Sequence, residues 1–186
     1  MKQVKSTNQK IENEQDIKEL ALKYLDKYQP SKKDLKLYLF RKLSNQNTNT
    51  IPKNQILPKI DNVLENLEEL NIINDEIYSE LKSKNFLKRG YSINKIKMHL
   101  SNKGIKDDLL KETIKKITKD DENPDFYSAI RICKKRRIGP YRPEANRSIF
   151  YKKDMGVLAR NGFSYVLSKD ILSLDKKELN KYEKKL

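Results

Sequence analysis

Apolar side chains recur along this chain at helical spacing. Leu35, Leu39 and Leu43 fall at i, i+4 and i+8, and Ile60, Val63, Leu64, Leu67 and Leu70 form a second stripe. Such stripes predict amphipathic helices with one buried face. A first helix is predicted from about Gln15, with Leu20, Leu22, Tyr24, Leu25 and Tyr28 on its apolar side. Pro30-Ser31 breaks it and starts the next, because serine caps helix N-termini. Ile77, Tyr78, Leu81, Phe86 and Leu87 line a further predicted helix, followed by Ile93, Ile96 and Leu100, then Leu109, Leu110, Thr113, Ile114 and Ile117. Phe126, Ile130 and Cys133 line another, which turns basic at Lys134–Arg137, and Val166, Leu167, Ile171 and Leu172 line the last. The polar run 44–55 reads as a loop, and 144–153 has no clear period.

One motif occurs twice. Leu100-Ser-Asn-Lys-Gly104-Ile105 and Leu158-Ala-Arg-Asn-Gly162-Phe163 each place a glycine four residues after a leucine and an apolar residue after that. Glycine at a helix C-terminus supplies the positive φ that other residues adopt only at a cost. Ser31 and Ser92 occupy matching positions in successive units. The repetition predicts three copies of a three-helix unit, spanning 15–74, 75–119 and 120–174, with a disordered tail at 1–14 and a charged tail at 175–186. A unit of this size buries too little apolar surface to stand alone, so the units should stack.

Composition supports helices. There are only five glycines and six prolines in 186 residues, few for a turn-rich barrel or sandwich. The net charge is +15, which points to a polyanionic partner or an acidic protein surface. Scattered lysines in a chain rich in isoleucine and asparagine also fit compositional drift. The arginines are more informative. Six of the eight lie between Arg131 and Arg160, a window that carries a net +8. Arginine's planar fork suits phosphate and carboxylate.

The chemistry of an enzyme is not apparent. His99 and Cys133 are the single histidine and the single cysteine, and no base, acid or metal-ligand partner recurs beside them. Cys133 reads as a core thiol and His99 as a partly exposed helix residue. There is no glycine-rich phosphate loop and no apolar run near the ~20 residues of a membrane span. No cofactor or metal is expected, and a non-enzymatic, monomeric, cytoplasmic protein with no membrane partner is. The tyrosines at 24, 28, 78, 91, 127 and 165 read as core packing, whereas Tyr141 and Tyr151 sit among cations and suit base stacking.

The order of motifs resembles the RecX family of RecA regulators. The likeness runs from about residue 17 to 173. It rests on Ala21-Leu22…Tyr24-Leu25 with Ser31…Asp34-Leu35…Leu39, on Leu67…Leu70-Asn-Ile-Ile-Asn-Asp75, on Arg89-Gly90-Tyr91-Ser92…Lys103-Gly104-Ile105, and on Lys134-Lys135 with Leu158-Ala-Arg160-Asn-Gly162-Phe163-Ser164. The resemblance implies an all-α fold of three tandem three-helix repeats in an elongated, curved molecule. It also implies binding along the groove of the RecA–single-stranded-DNA filament, with reduced ATP hydrolysis and strand exchange, and contact with single- or double-stranded DNA. The residues expected to meet that partner are Arg131, Lys134, Lys135, Arg136, Arg137, Arg142 and Arg160, extended by Lys88 and Arg89. The competing readings are a solvated basic face and a general helical-repeat nucleic-acid-binding protein.

Overall fold

The structure is a computed structural model that describes residues 13–45, 53–119 and 122–184. These residues form ten α-helices and one short 3-10 turn, with no strand among them. In chain order the helices are α1 (Glu14–Leu25), α2 (Lys32–Asn45), α3 (Lys53–Glu69), α4 (Asp75–Lys88), α5 (Ile93–Asn102), α6 (Asp107–Ile117), α7 (Pro124–Arg136), α8 (Glu144–Arg160), α9 (Tyr165–Ser173) and α10 (Lys176–Glu183). The 3-10 turn, Gly139–Tyr141, lies between α7 and α8. The fold is all-α.

Five of these helices end in the same way. In α3, α4, α5, α7 and α8 a residue just past the end takes a positive φ: Asn71 (53°), Gly90 (79°), Gly104 (84°), Arg137 (52°) and Gly162 (87°). The next residue donates its N–H back to the carbonyl five positions earlier. The pairs are Ile72 to Leu67 (2.9 Å), Tyr91 to Phe86 (3.1 Å), Ile105 to Leu100 (3.1 Å), Ile138 to Cys133 (3.0 Å) and Phe163 to Leu158 (3.3 Å). This bond satisfies a carbonyl the helix leaves open and turns the chain sharply. The two copies legible in the sequence are therefore part of a set of five. The others were hidden because Asn71 and Arg137 replace glycine and because Phe86 and Cys133 replace leucine.

Helix starts are repeated as well. Ser31 and Ser92 are both fully buried, and their hydroxyls accept the N–H of Asp34 (3.2 Å) and Lys95 (3.1 Å). A carboxylate from the helix two places further along completes each start. Asp75, opening α4, accepts the Lys32 N–H at 2.9 Å, and Asp125, opening α7, accepts the Ile93 N–H at 2.7 Å. Burial pushes both carboxyls above their ordinary values, against the lowering effect of those N–H donors.

The helices group into two compact units divided within α4, after Tyr78. In the first, Ile17 and Ala21 of α1, Leu35, Leu39 and Leu43 of α2, and Ile56, Ile60, Leu64 and Leu67 of α3 form the core. In the second, the core is Ala129, Ile130 and Cys133 of α7, Leu158 of α8, Phe163, Ile171 and Leu172 around α9, and Leu179 of α10. Each such Leu or Ile contributes about 1.5–3 kcal/mol by leaving water.

The structure departs from the sequence expectations in several places. The expected charged tail at 175–186 contains α10: Asp175 forms a reciprocal cap with Glu178, and Leu179 is buried. Its amphipathic face is only two turns long, too short to stand out among lysines. The ambiguous stretch 144–153 is the first half of α8. The expected N-terminal tail falls, to residue 12, outside the described residues, and so does 46–52 of the expected loop. Ile77 and Leu81, expected in the core, are 57% and 45% exposed; Tyr78 is buried as expected, but beside Ser79 and Ser83. Small side chains let α4 approach α6, where Ser79 and Thr113 share a 3.0 Å hydrogen bond. Leu70 lies past the end of α3 and is exposed.

Replacing Asp125 with alanine leaves the Ile93 N–H without its acceptor. The expected loss is about 1–3 kcal/mol in urea unfolding. Asp125→Asn keeps an accepting oxygen and should lose less. Because the Asp125 carboxyl is raised in the folded state, its contribution is present below the unfolded pKa and fades as pH rises through the folded one. The asparagine variant should lack that dependence.

Candidate basic interface

The second unit brings three distant stretches of sequence to one corner. Gly90 follows α4 with its backbone pressed against α7: a Cβ there would lie 2.8 Å from the Ile132 nitrogen and 2.8 Å from the Ser128 carbonyl oxygen. Gly162 follows α8 and presses on the start of α5, where a Cβ would overlap the Ser92 hydroxyl and approach Lys95 Cβ to 2.9 Å. Both positions also need their positive φ, so only glycine fits. The Ser92 N–H donates to the Asn161 carbonyl (3.1 Å), and Lys95 Nζ donates to the Arg160 carbonyl (2.7 Å). Residues 88–92, 128–132 and 160–162 are thereby neighbours. Arg89, Arg131 and Arg160 belong to these three stretches.

The side chains of Lys88, Arg89, Lys135, Arg136, Arg137 and Arg160 are exposed, and that of Arg131 is half-buried. None of the seven has an acidic partner among the described residues. Lys134 is exposed too, but its Nζ lies 2.9 Å from Glu183 Oε1. Lys134 and the Tyr141 hydroxyl together hold the Glu183 carboxyl below its ordinary value.

Arg142 is differently placed. Its Nε and Nη2 donate to the two oxygens of Asp154 at 2.7 and 2.8 Å, and the Gly139 N–H adds a third bond at 2.8 Å. Asp154 is 1% exposed. Burial alone would raise its pKa, but these donors hold it below the usual value. The Arg142 guanidinium also lies 4.4 Å from the Phe150 ring centre. Arg147, in the first turn of α8, spends its Nη2 on the carbonyls of Leu172 and Leu174. Two of the six clustered arginines thus hold the second unit together, and Arg142, expected at the contact surface, spends its guanidinium on Asp154. The charge run was legible, but a salt bridge formed across twelve residues was not.

Other chemistry is sparse. Cys133 is fully buried, and burial, with the Asp154 charge behind it, pushes its thiol up to about 12. His99 stacks edge-on against Phe86 at 4.6 Å. Tyr141 is half-buried and donates its hydroxyl to Glu183 at 2.9 Å. Tyr151 is exposed and lines an open cavity of about 450 Å³ with Glu144, Arg147, Ser148 and Asp154. Among the described residues no cluster of three or more histidine, cysteine or acidic groups could hold a metal, and no helix is long and apolar enough to cross a membrane.

No family model matches the chain. Among curated proteins it is similar to "Regulatory protein RecX" of Myxococcus xanthus, at 26% identity over 84% of this chain and 83% of that protein. It is 29% identical to "Regulatory protein RecX" of Clostridium perfringens strain SM101, over 80% of this chain and 63% of that protein. A crystal structure of regulatory protein RecX superposes with a TM-score of 0.55 at 22% identity, covering 85% of this chain and 72% of the other. Sequence and fold both resemble RecX.

In Arg89-Gly90-Tyr91-Ser92 and Arg160-Asn161-Gly162-Phe163 each glycine is where another helix lands. Sequence reasoning placed the remaining cations without knowing that these turns bring 89, 131 and 160 together. It also missed Tyr165 and Val166, which were expected in the core and are each 67% exposed. Their position directly after the N-cap Ser164 was the available signal, since α9 turns its buried face to Ser168, Ile171 and Leu172.

Two measurements check these assignments. Arg142→Ala strands a buried carboxylate, and urea unfolding at pH 7 should show a loss of about 3–5 kcal/mol. The stability Asp154 contributes in the parent is complete above its unfolded pKa of about 4 and is lost as pH falls through its depressed folded value, so the difference between parent and variant should shrink in acid. Cys133 in the folded protein should resist iodoacetamide at pH 8 and react promptly once urea unfolds the chain.

Proposed function

We propose that this protein is a non-enzymatic regulator of RecA that binds in the groove of the RecA–single-stranded-DNA filament and lowers its ATP hydrolysis and strand exchange. The observation that supports this most is the pairing of RecX similarity over most of the chain with a set of exposed cations in the second unit that have no acidic partner among the described residues. A filament of protein and DNA presents phosphates and acidic side chains together, and Arg89, Arg131, Lys135, Arg136, Arg137 and Arg160, with Lys88, are the residues that would meet them. Lys134, itself exposed, contributes where its bond to the half-buried Glu183 exchanges for a partner acid. We further propose that the helices form three tandem units, with the Asp75 and Asp125 caps joining each unit to the next.

Binding built from many exposed cations weakens as salt rises, because each contact releases or screens counterions. The test is RecA filament ATP hydrolysis titrated with this protein at two salt concentrations. Inhibition at protein levels too low to coat free single-stranded DNA supports the reading. Inhibition that appears only once free DNA is coated favours the general nucleic-acid-binding alternative. Arg136→Glu with Arg137→Glu should weaken filament binding about tenfold or more at physiological salt, and unchanged affinity would remove these two residues from the interface.

A further inference from the structure

We propose that the solvent-facing side of α8 is a binding face for the sugar–phosphate backbone of a nucleic-acid strand, which passes over Gly156 beside Lys152, Lys153 and Arg160. This deepens the filament-binding reading and rests on it for the choice of DNA as partner. Gly156 is the anomaly that points there. The other four glycines each have a positive φ, and Gly156 does not. A Cβ on Gly156 would meet only the far end of the Arg160 side chain, with Nη1 at 3.4 Å. Neither backbone conformation nor packing therefore asks for glycine inside this helix, where it costs stability relative to alanine. What the missing Cβ leaves is bare helix backbone, open to close approach by a ligand.

The cations lie on the same side. Ile149, Lys152, Lys153 and Arg160 all fall within about 60° of Gly156 round the helix, and all four are exposed. Arg160 reaches back one turn, as helical side chains do, so its guanidinium lies over Gly156. Lys95 Nζ, bound to the Arg160 carbonyl at 2.7 Å, adds a positive charge at the end of α8. Lys152 and Lys153 sit in the middle of α8, where the helix dipole gives a cation no advantage. Lys153 Nζ is 5.8 Å from the Phe150 ring centre. Neither lysine nor Arg160 has an acidic partner among the described residues.

Charge and shape select the occupant. The two acids of α8 lie off this face, Glu144 about 120° and Asp154 about 160° round from Gly156, and Asp154 is buried against Arg142 and the Gly139 N–H. Arg147, about 180° from Gly156, donates to the carbonyls of Leu172 and Leu174. The end of α9, next to Asp170, thus packs on the opposite side of α8 from the cations. From Lys152 to Arg160 the cations extend about 12 Å along the helix axis, with only backbone at Gly156 between them. A protein carboxylate meets a cation at the tip of its own side chain and needs no such gap. A nucleic-acid strand carries its charges on the chain itself, so the chain has to come close, and its sugars can lie against the exposed Ile149.

The test reads fluorescence anisotropy of a labelled single-stranded oligonucleotide, without RecA, at low and moderate salt. Gly156→Ala has room for its methyl group and is the better helix former, so its melting temperature should equal or exceed the parent's while its affinity for the strand falls about threefold or more. Lys152→Glu with Lys153→Glu should lose about tenfold or more, most of all at low salt. Lys115→Glu with Lys119→Glu, two exposed lysines in and just after α6, makes the same change in net charge and should lose much less. A lower melting temperature or a smaller loss for Gly156→Ala overturns the proposal, as does an equal loss in the α6 control or a parent that does not bind the strand. The same losses on labelled polyglutamate, and not on the strand, would assign the face to an acidic protein and overturn it too. RecA filament ATP hydrolysis, titrated with the parent in parallel, decides the filament reading separately. A parent that binds the strand through this face but leaves RecA unaffected sinks that reading and keeps the face; a parent that inhibits RecA while every variant binds the strand equally well sinks only this inference.

Discussion

Everything in this fold depends on how its helices stop. A helix leaves carbonyls unsatisfied at its end, and in five places this chain closes one of them with an N–H from just beyond a positive-φ residue. The bond fixes the exit direction of the backbone. The apolar residue that makes it, such as Ile105, Ile138 or Phe163, is then delivered into a core. The direction in which each of these helices hands on the chain is therefore set locally.

Those turns also create the places where helices meet. Gly90 and Gly162 lack a Cβ where α7 and the start of α5 come closest. The same turns carry Arg89 and Arg160 on the residues beside them, so packing that stabilises the second unit also gathers its cations. Helix C-termini favour positive side chains, since the last carbonyls leave a partial negative charge there. Lys88, Arg136 and Arg160 each occupy a last turn. Local stability and a basic surface are thus served by one set of positions, and a charge run at such sites is not by itself a sign of binding.

The arginines divide by the neighbours they find. Arg142 and Arg147 turn inward, to a buried carboxylate and to open carbonyls at the end of α9, where a planar fork can make several bonds at once. Among the described residues Arg136, Arg137 and Arg160 meet no acid. The difference lies in Asp154, a carboxylate that sits on the buried side of α8. Without it Arg142 would be one more surface cation.

Much of the local plan was legible from residue order alone. The stripes of α2, α3, α5 and α6, the caps at Ser31 and Ser92, the turns at Gly104 and Gly162 and the buried state of Cys133 all follow from spacing and side-chain type, because helices and their caps are decided within a few residues. Three things were decided only by tertiary structure. Which side of α4 faces inward turned on the close approach of α6, so Ile77 and Leu81 point out and Ser79 and Ser83 point in. Whether an arginine is surface or scaffold turned on Asp154, twelve residues away. The exposure of Tyr165 and Val166 turned on the direction in which the Gly162 corner launches α9. Periodicity reports that a helix has an apolar side, and composition reports the sign of a charge. Neither reports what lies opposite, which depends on the packing of segments far apart in the chain.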